Sequence, residues 1–202
     1  MYIAVYLIVL FVGFAMMVRE GLWSNAIALV NILVSGLVAF GFYSPLAIYL
    51  DEMLDGQYTY VLDFVCIWGL FVVAMVICSS LTGMASRVRM RFKNPIDPIG
   101  GPVVGLLAAW SLAAFVMATL HTSPMPKDAF GGGLVYDSNE VDNAFYLTAP
   151  DIGWLKFVER MSRPDSLGRG ERGGFSAKAW VQIYADHREK FSKAPGIRVR
   201  RS

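Results

Sequence analysis

The sequence predicts an all-α, polytopic membrane protein, with four transmembrane helices in two hairpins and a C-terminal tail carrying short amphipathic helices. Three observations carry this. Apolar runs recur through the first 121 residues, each close to the roughly 20 residues that cross a ~30 Å hydrocarbon core. Apolar side chains make up 55% of the chain and charged ones 17%, against roughly 45–50% and 25% in soluble domains, and the mean hydropathy is +0.48. Charge is also segregated, with five Lys/Arg and six Asp/Glu before residue 122 and thirteen and ten after it. The chain therefore divides into a transmembrane domain, residues 1–121, and an extramembrane tail, residues 122–202. A net charge of +2 on this mixed background gives no basic face for nucleic acid.

The first run, Tyr2 to Val18, is near the minimum length for a span. It lacks a basic leader and a small-residue cleavage site, which favours an anchor over a cleaved signal peptide. The short turn Arg19-Glu20-Gly21 implies a tight hairpin with the second span, about Trp23 to Tyr43, which Pro45 follows. Ser24, Ala28, Asn31, Ser35 and Ala39 recur at three- and four-residue steps and so share one helical face. Small, weakly polar residues on one face let helices approach closely in lipid. The same face read differently is a polar pathway.

A polar connection from Ser44 to Tyr60 carries Asp51, Glu52 and Asp55 and no Lys or Arg. The third span, about Val61 to Leu81, holds Asp63 in its first turn. There a carboxylate reaches the interface and suits the helix dipole, whereas a deeper one would need a partner. Cys66 and Cys78 lie in this span, about 18 Å apart along a helix, beyond the reach of a disulfide. The hinge that follows carries Arg87, Arg89, Arg91 and Lys93. The positive-inside rule assigns this loop, 84–96, to the cytoplasm, together with the Arg19 turn, and sends the acidic connection and both termini to the other side. Such a hinge attracts anionic lipid headgroups at about 1 kcal/mol per cation.

The fourth span opens with Asp97-Pro98, an N-cap followed by a residue that suits a first turn. Gly101, Gly105 and Ala108 form a small-residue ridge with GxxxG spacing. Past His121, Thr148-Ala-Pro-Asp151 reads as a capping box that starts a helix through Trp154, Leu155, Val158 and Met161. Residues 163–174 form a Gly- and charge-rich linker. Ser176 to Phe191 reads as a second amphipathic helix, with Ala177, Trp180, Val181, Tyr184, Arg188 and Phe191 at helical steps and a disordered end beyond it. Such helices lie on a membrane surface or dock on a partner. His121 and His187, the two histidines, are far apart in sequence, and no nucleophile elbow, phosphate-binding loop or CxxC pair occurs. The reading is of no catalytic residue, no metal and no cofactor.

At these residues the chain resembles the CvpA family, the colicin V production proteins of bacterial inner membranes. The turn Val18-Arg19-Glu20-Gly21 is similar to that family's Gly-x-x-Arg-Glu turn, and a basic stretch follows the third span. Asp97-x-x-Gly100-x-x-x-x-Gly105 is similar to its Asp-Arg-x-x-Gly-x-x-x-Gly opening. Pro98 stands where the family has Arg, and the glycine spacing is one residue longer unless Gly101 is taken as the first glycine. The resemblance covers about residues 2 to 125 and marks Arg19, Glu20, Asp97, Gly101 and Gly105. It implies a multi-pass inner-membrane protein without established enzymatic activity, assisting toxin export or envelope homeostasis through contacts with other membrane or envelope proteins or with further copies of itself. The tail would be a partner-binding arm. The alternative is a small transporter or channel subunit with a polar route near Asp63 and Asn31.

Overall fold

A computed structural model describes residues 1–54, 56, 58–85, 96–125, 129–136, 138–166 and 174–193. The described residues form seven α-helices: α1 (Tyr2–Met17), α2 (Leu22–Met53), α3 (Thr59–Ala85), α4 (Ile96–Thr119), α5 (Ser138–Asn143), α6 (Pro150–Met161) and α7 (Ala177–Lys193). Short 3-10 turns at Leu120–Thr122 and Ala129–Gly132 link α4 to the distal part. The basic hinge from Arg87 to Lys93 and the end of the chain lie outside the described residues.

Three helical stretches are long and apolar enough to cross a membrane: Leu22–Met53, Thr59–Ala85 and Ile96–Thr122. The first apolar run, expected as a fourth span, forms a 16-residue helix. That is about 24 Å at 1.5 Å per residue, short of a ~30 Å core. α2 is longer than expected. It runs through Pro45 to Met53, so the supposed loop from Ser44 is largely helix. At about 48 Å it exceeds the hydrocarbon thickness. α3 starts at Thr59, which puts Asp63 in the second turn rather than the first.

The packing order departs from two hairpins. α1 packs chiefly on α4, α4 on α2, and α2 on α3. α1 runs antiparallel to α4: the Cβ that an alanine would add at Gly13 lies 3.4 Å from Ala109 Cβ, and one at Gly105 lies 3.4 Å from Met17 Cβ, while Tyr2 and Tyr6 cluster with Ala113 and Met117. α2 and α4 run parallel, with Gly101 against the turn before α2 and Phe115 against Phe40. α3 meets α4 through large rings, Phe71 stacking on Phe115 at 4.2 Å. Outward-facing apolar side chains such as Phe11 (72% exposed) and Val76 (60%) cover the periphery, the arrangement a bilayer rather than water solvates.

The distal helices are part of the same core. Ile152, Trp154, Leu155 and Val158 of α6 and Trp180, Val181 and Tyr184 of α7 join Phe40, Tyr43, Ile67 and Phe115 in one hydrophobic cluster. No break in packing falls at residue 121. A buried Trp removes roughly 200 Å² from solvent, on the order of 5 kcal/mol of transfer free energy, so the indoles of Trp154 and Trp180 are large terms in this docking. Trp154 reaches so close to α2 that a Cβ at Gly36 would lie 2.3 Å from its Cζ2. Only glycine fits there. Gly36→Leu should therefore lower stability in detergent by about 1–3 kcal/mol, the usual range for overpacking, read as a fall in thermal midpoint by circular dichroism. The loss should shrink in a Trp154→Ala background.

Candidate functional site

Where the helices of the bundle end opposite the Arg19 turn, polar side chains from several segments converge under the distal helices. The 3-10 turn after α4 carries His121, α6 brings Asp151, and the start of α1 brings Tyr2. The segment after the second 3-10 turn brings Tyr136. Within that turn Phe130 has φ 57 and Gly131 and Gly132 have φ 70 and 78, a left-handed winding that returns Leu134 to the core. α7 presents Trp180, Tyr184 and Arg188, four residues apart and so on one face.

The centre is Asp151, whose side chain is fully buried. Its Oδ1 accepts from the Tyr2 hydroxyl at 2.5 Å and the Tyr136 hydroxyl at 3.1 Å. Its Oδ2 lies 2.7 Å from His121 Nε2. An ionised carboxylate only accepts, so His121 Nε2–H is the donor. His121 Nδ1 and Arg188 Nε are buried with no hydrogen-bond partner among the described residues. Arg188 is 3% exposed and donates from Nη2 to the Leu134 carbonyl at 2.9 Å. Burial pulls its guanidinium pKa down and the Asp151 charge opposes that. Burial first, then Asp151, pushes the Tyr136 hydroxyl up.

A second group adjoins the first. Tyr184 Oη donates to Asp63 Oδ2 at 2.7 Å, and Trp180 Nε1 donates to the Tyr43 hydroxyl at 2.8 Å. The edge of Trp180 meets the His121 ring at 5.7 Å. Asp63, His121, Tyr184, His187 and Arg188 border a cavity of about 10 Å³ between the groups, close to the minimum that holds one water. The arrangement clamps α1, α3, α4, α6 and α7 together at one end. A nucleophile–base pair would need a hydroxyl or thiol on His121, and no described residue bonds its free Nδ1.

The residues singled out in the sequence lie mostly at the other end. Arg19 and Glu20 are exposed in the α1–α2 turn. Asp97 corrects the expectation that it caps its own helix. It sits inside the first turn of α4, and its Oδ1 accepts the Leu22 N–H at 2.9 Å. It thereby caps α2, whose N-cap is Gly21 and has no side chain to do so. A Cβ at Gly101 would lie 3.1 Å from the Glu20 carbonyl oxygen, and one at Gly105 2.9 Å from Asn25 Nδ2. Asn25, which sequence reasoning passed over, is 1% exposed and donates to the Gly101 carbonyl at 2.8 Å and the Met17 carbonyl at 3.1 Å.

Asn31 donates to Thr82 Oγ1 at 3.2 Å, and the Ser35 hydroxyl lies 3.8 Å from Met75 Sδ. Toward the turn, the Ser24–Asn31 part of that face borders a cavity of about 330 Å³ against α3. Asn31 and Asp63 are not brought together. Thr82, the partner of Asn31, stands near the end of α3 and Asp63 near its start, with buried Ile67 and Phe71 between them. The capping box at Thr148 does not form either. The N-cap of α6 is Ala149, without a side-chain cap, Thr148 bonds the Phe145 carbonyl, and Asp151 turns inward.

Residues 4–142 match the family described as Colicin V production protein. The chain belongs to the colicin V production protein family. The match takes in α1 to α4 with Asp63, His121 and Tyr136, and ends before α6 and α7. In this member of the colicin V production family, the polar cluster is thus completed by Asp151, Tyr184 and Arg188 from outside the matched segment. No curated protein and no solved structure matches the chain.

Removing the carboxylate leaves a buried imidazole and two hydroxyls without their acceptor. Asp151→Ala should cost about 3–5 kcal/mol, read as early loss of α6 and α7 protection in hydrogen exchange, with α2 and α3 protected longer. Tyr184 gives a pH test. Burial, then Tyr43 and Asp63, raises its pKa well above the usual tyrosine value. A folded-state pKa above the unfolded one means stability that is complete below about pH 10 and is lost as pH climbs above it. Docking of α7 should weaken above pH 10, followed by Trp180 emission. Tyr184→Phe should flatten that alkaline loss and cost about 1–2 kcal/mol at neutral pH.

Proposed function

We propose that this colicin V production family protein is a non-enzymatic component of the bacterial inner membrane that assists toxin export or envelope homeostasis through contacts with other envelope proteins. The observation that carries the reading is the use made of its polar groups. Buried and half-buried ones clasp helix to helix at both ends of the bundle, as Asn25 and Asp97 do at one end and Asp151 at the other. That chemistry builds a rigid platform. Family membership supports the same reading.

In the proposed topology α1 is a fourth crossing, made despite its length by packing on α4. The Arg19 turn and the start of α4 lie at one end of the bundle, so the basic hinge at Arg87 to Lys93 and the turn face the cytoplasm together. The N-terminus, the distal helices and the C-terminal end then face the periplasm. The apolar faces of α6 and α7 are occupied by the chain's own core, so the distal segment meets partners as a folded cap and not as a loose arm. Its outward side includes Ile183, 52% exposed. The transporter alternative draws less support, because apolar side chains fill the interval between Asn31 and Asp63.

A photo-crosslinker at Ile183 should capture a discrete envelope protein in producing cells. A chromosomal deletion should lower secreted toxin activity at unchanged intracellular toxin, or raise envelope permeability to an apolar dye. In a background without Cys66 and Cys78, Ser202→Cys should label from the outside and Arg89→Cys should not. An intact export and permeability phenotype with no crosslink would reject the functional reading, and inverted labelling would reject the topology.

A further inference from the structure

α6 does not seal against the bundle along its whole length. A groove of about 400 Å³ remains between it, α2 and α4. Leu29 and Leu33 of α2 and Leu107 of α4 line its floor, and Phe157 of α6 lines its wall. Lys156 and Arg160 stand at the α6 rim, and none of the lining residues is acidic. The nearby acids are engaged elsewhere. Glu159 accepts the Ala177 N–H at 3.2 Å, and the Asp142 carboxylate lies 3.1 Å from Lys178 Nζ. Lys156 donates to the Asp142 main-chain carbonyl at 2.9 Å, a neutral partner that leaves its charge uncancelled, and Arg160 is exposed.

Depth adds a second constraint. The floor belongs to two of the helices long enough to cross the bilayer, so hydrocarbon chains reach the slot from the side. α6 runs alongside α4, with Asp151 at His121 and Trp154 at Phe115, and brings two cations to the slot. An apolar slot facing lipid, bordered by two cations that no acid among the described lining residues cancels, is complementary to an amphiphile with an anionic head. We propose that this groove binds an anionic phospholipid, with an acyl chain against Leu29, Leu33 and Leu107 and the phosphate at Lys156 and Arg160. The lipid would hold α6 against α2 and α4.

The proposal rests on membrane placement and not on the export reading, so lipid retention and secretion are scored separately. The full chain, delipidated in a nonionic detergent, is titrated with phosphatidylglycerol or phosphatidylcholine of identical chains and read by native mass spectrometry. One phosphatidylglycerol should be retained at a roughly ten- to thirtyfold lower concentration than phosphatidylcholine, the preference two cations give at a membrane surface. Lys156→Gln/Arg160→Gln should erase that preference with unchanged circular dichroism, and Leu107→Trp, which fills the slot, should reduce retention of both lipids. Arg89→Gln/Arg91→Gln in the hinge should leave the preference in place. Equal retention of the two lipids, a preference that survives the α6 double variant, or one lost with the hinge variant would overturn the assignment. Retention of neither lipid would also overturn it and give the slot to a second copy or a partner helix.

Discussion

A single carboxylate taken out of water organises the upper half of this molecule. Asp151 is fully buried, and an unpaired ion in such surroundings would cost several kcal/mol. Its oxygens are therefore met by Tyr2, Tyr136 and His121. These donors come from the first turn of α1, the segment before α5 and the end of α4. Satisfying one side chain thus fixes where three distant stretches of chain lie relative to α6. Burial of this kind is weak evidence of net stabilisation, since an apolar replacement of matching shape can do as well. Its physical effect is on uniqueness, because few other arrangements supply those donors.

The same logic recurs at the opposite end, with main-chain groups as the partners. α2 begins after Gly21, which has no side chain to cap with, and Asp97 of α4 supplies the missing acceptor. Asn25 then reaches the carbonyls of Gly101 and Met17, and Gly101 and Gly105 give the turn room to sit against α4. Between these clasps the interior is hydrocarbon-like, made of Phe40, Phe71 and Phe115 in ring contact. The colicin V production fold seen here is a set of helices packed by aromatics in the middle and held by directional bonds at its two ends, with α4 part of both.

Much of this was legible in the sequence, and the exceptions have one cause. Apolar runs placed the long helices, and the helical period placed Trp180, Tyr184 and Arg188 on one face of α7, because both signals are local. Pro45 locally favours a helix end, yet α2 continues through it, since tertiary support from α7 and α3 outweighs a local penalty. Asp97 and Asp151 were each read as caps of their own helices. Both are at helix N-termini, but each serves a partner, 75 residues away for Asp97–Leu22 and 30 for Asp151–His121. Spacing along a chain reports neighbours on one helix and is silent about which distant donor a buried acceptor will meet. The lone His121 looked like a boundary marker for that reason. A histidine at the end of a membrane-length run, with an unexplained acid in the tail, is the available signal.

The position of the polar cluster bears on how the cap communicates with the bundle. Tyr184 ties α7 to Asp63 on α3, while Arg188 on the same face of α7 ties it to the Leu134 carbonyl, a residue packed with Tyr2, Tyr6 and Met117. α7 therefore adds polar ties to α3 on one side and to the α1–α4 pair on the other, beyond the ring contacts that already join α3 to α4. A partner that shifts α7 cannot do so without breaking a bond to one of them or moving both. Packed cores respond to such demands by discrete rearrangement rather than continuous strain. A load applied to the outward side of α7 would thus be passed to α3 and α1 together, which makes the cap a mechanical part of the membrane bundle and not an accessory to it.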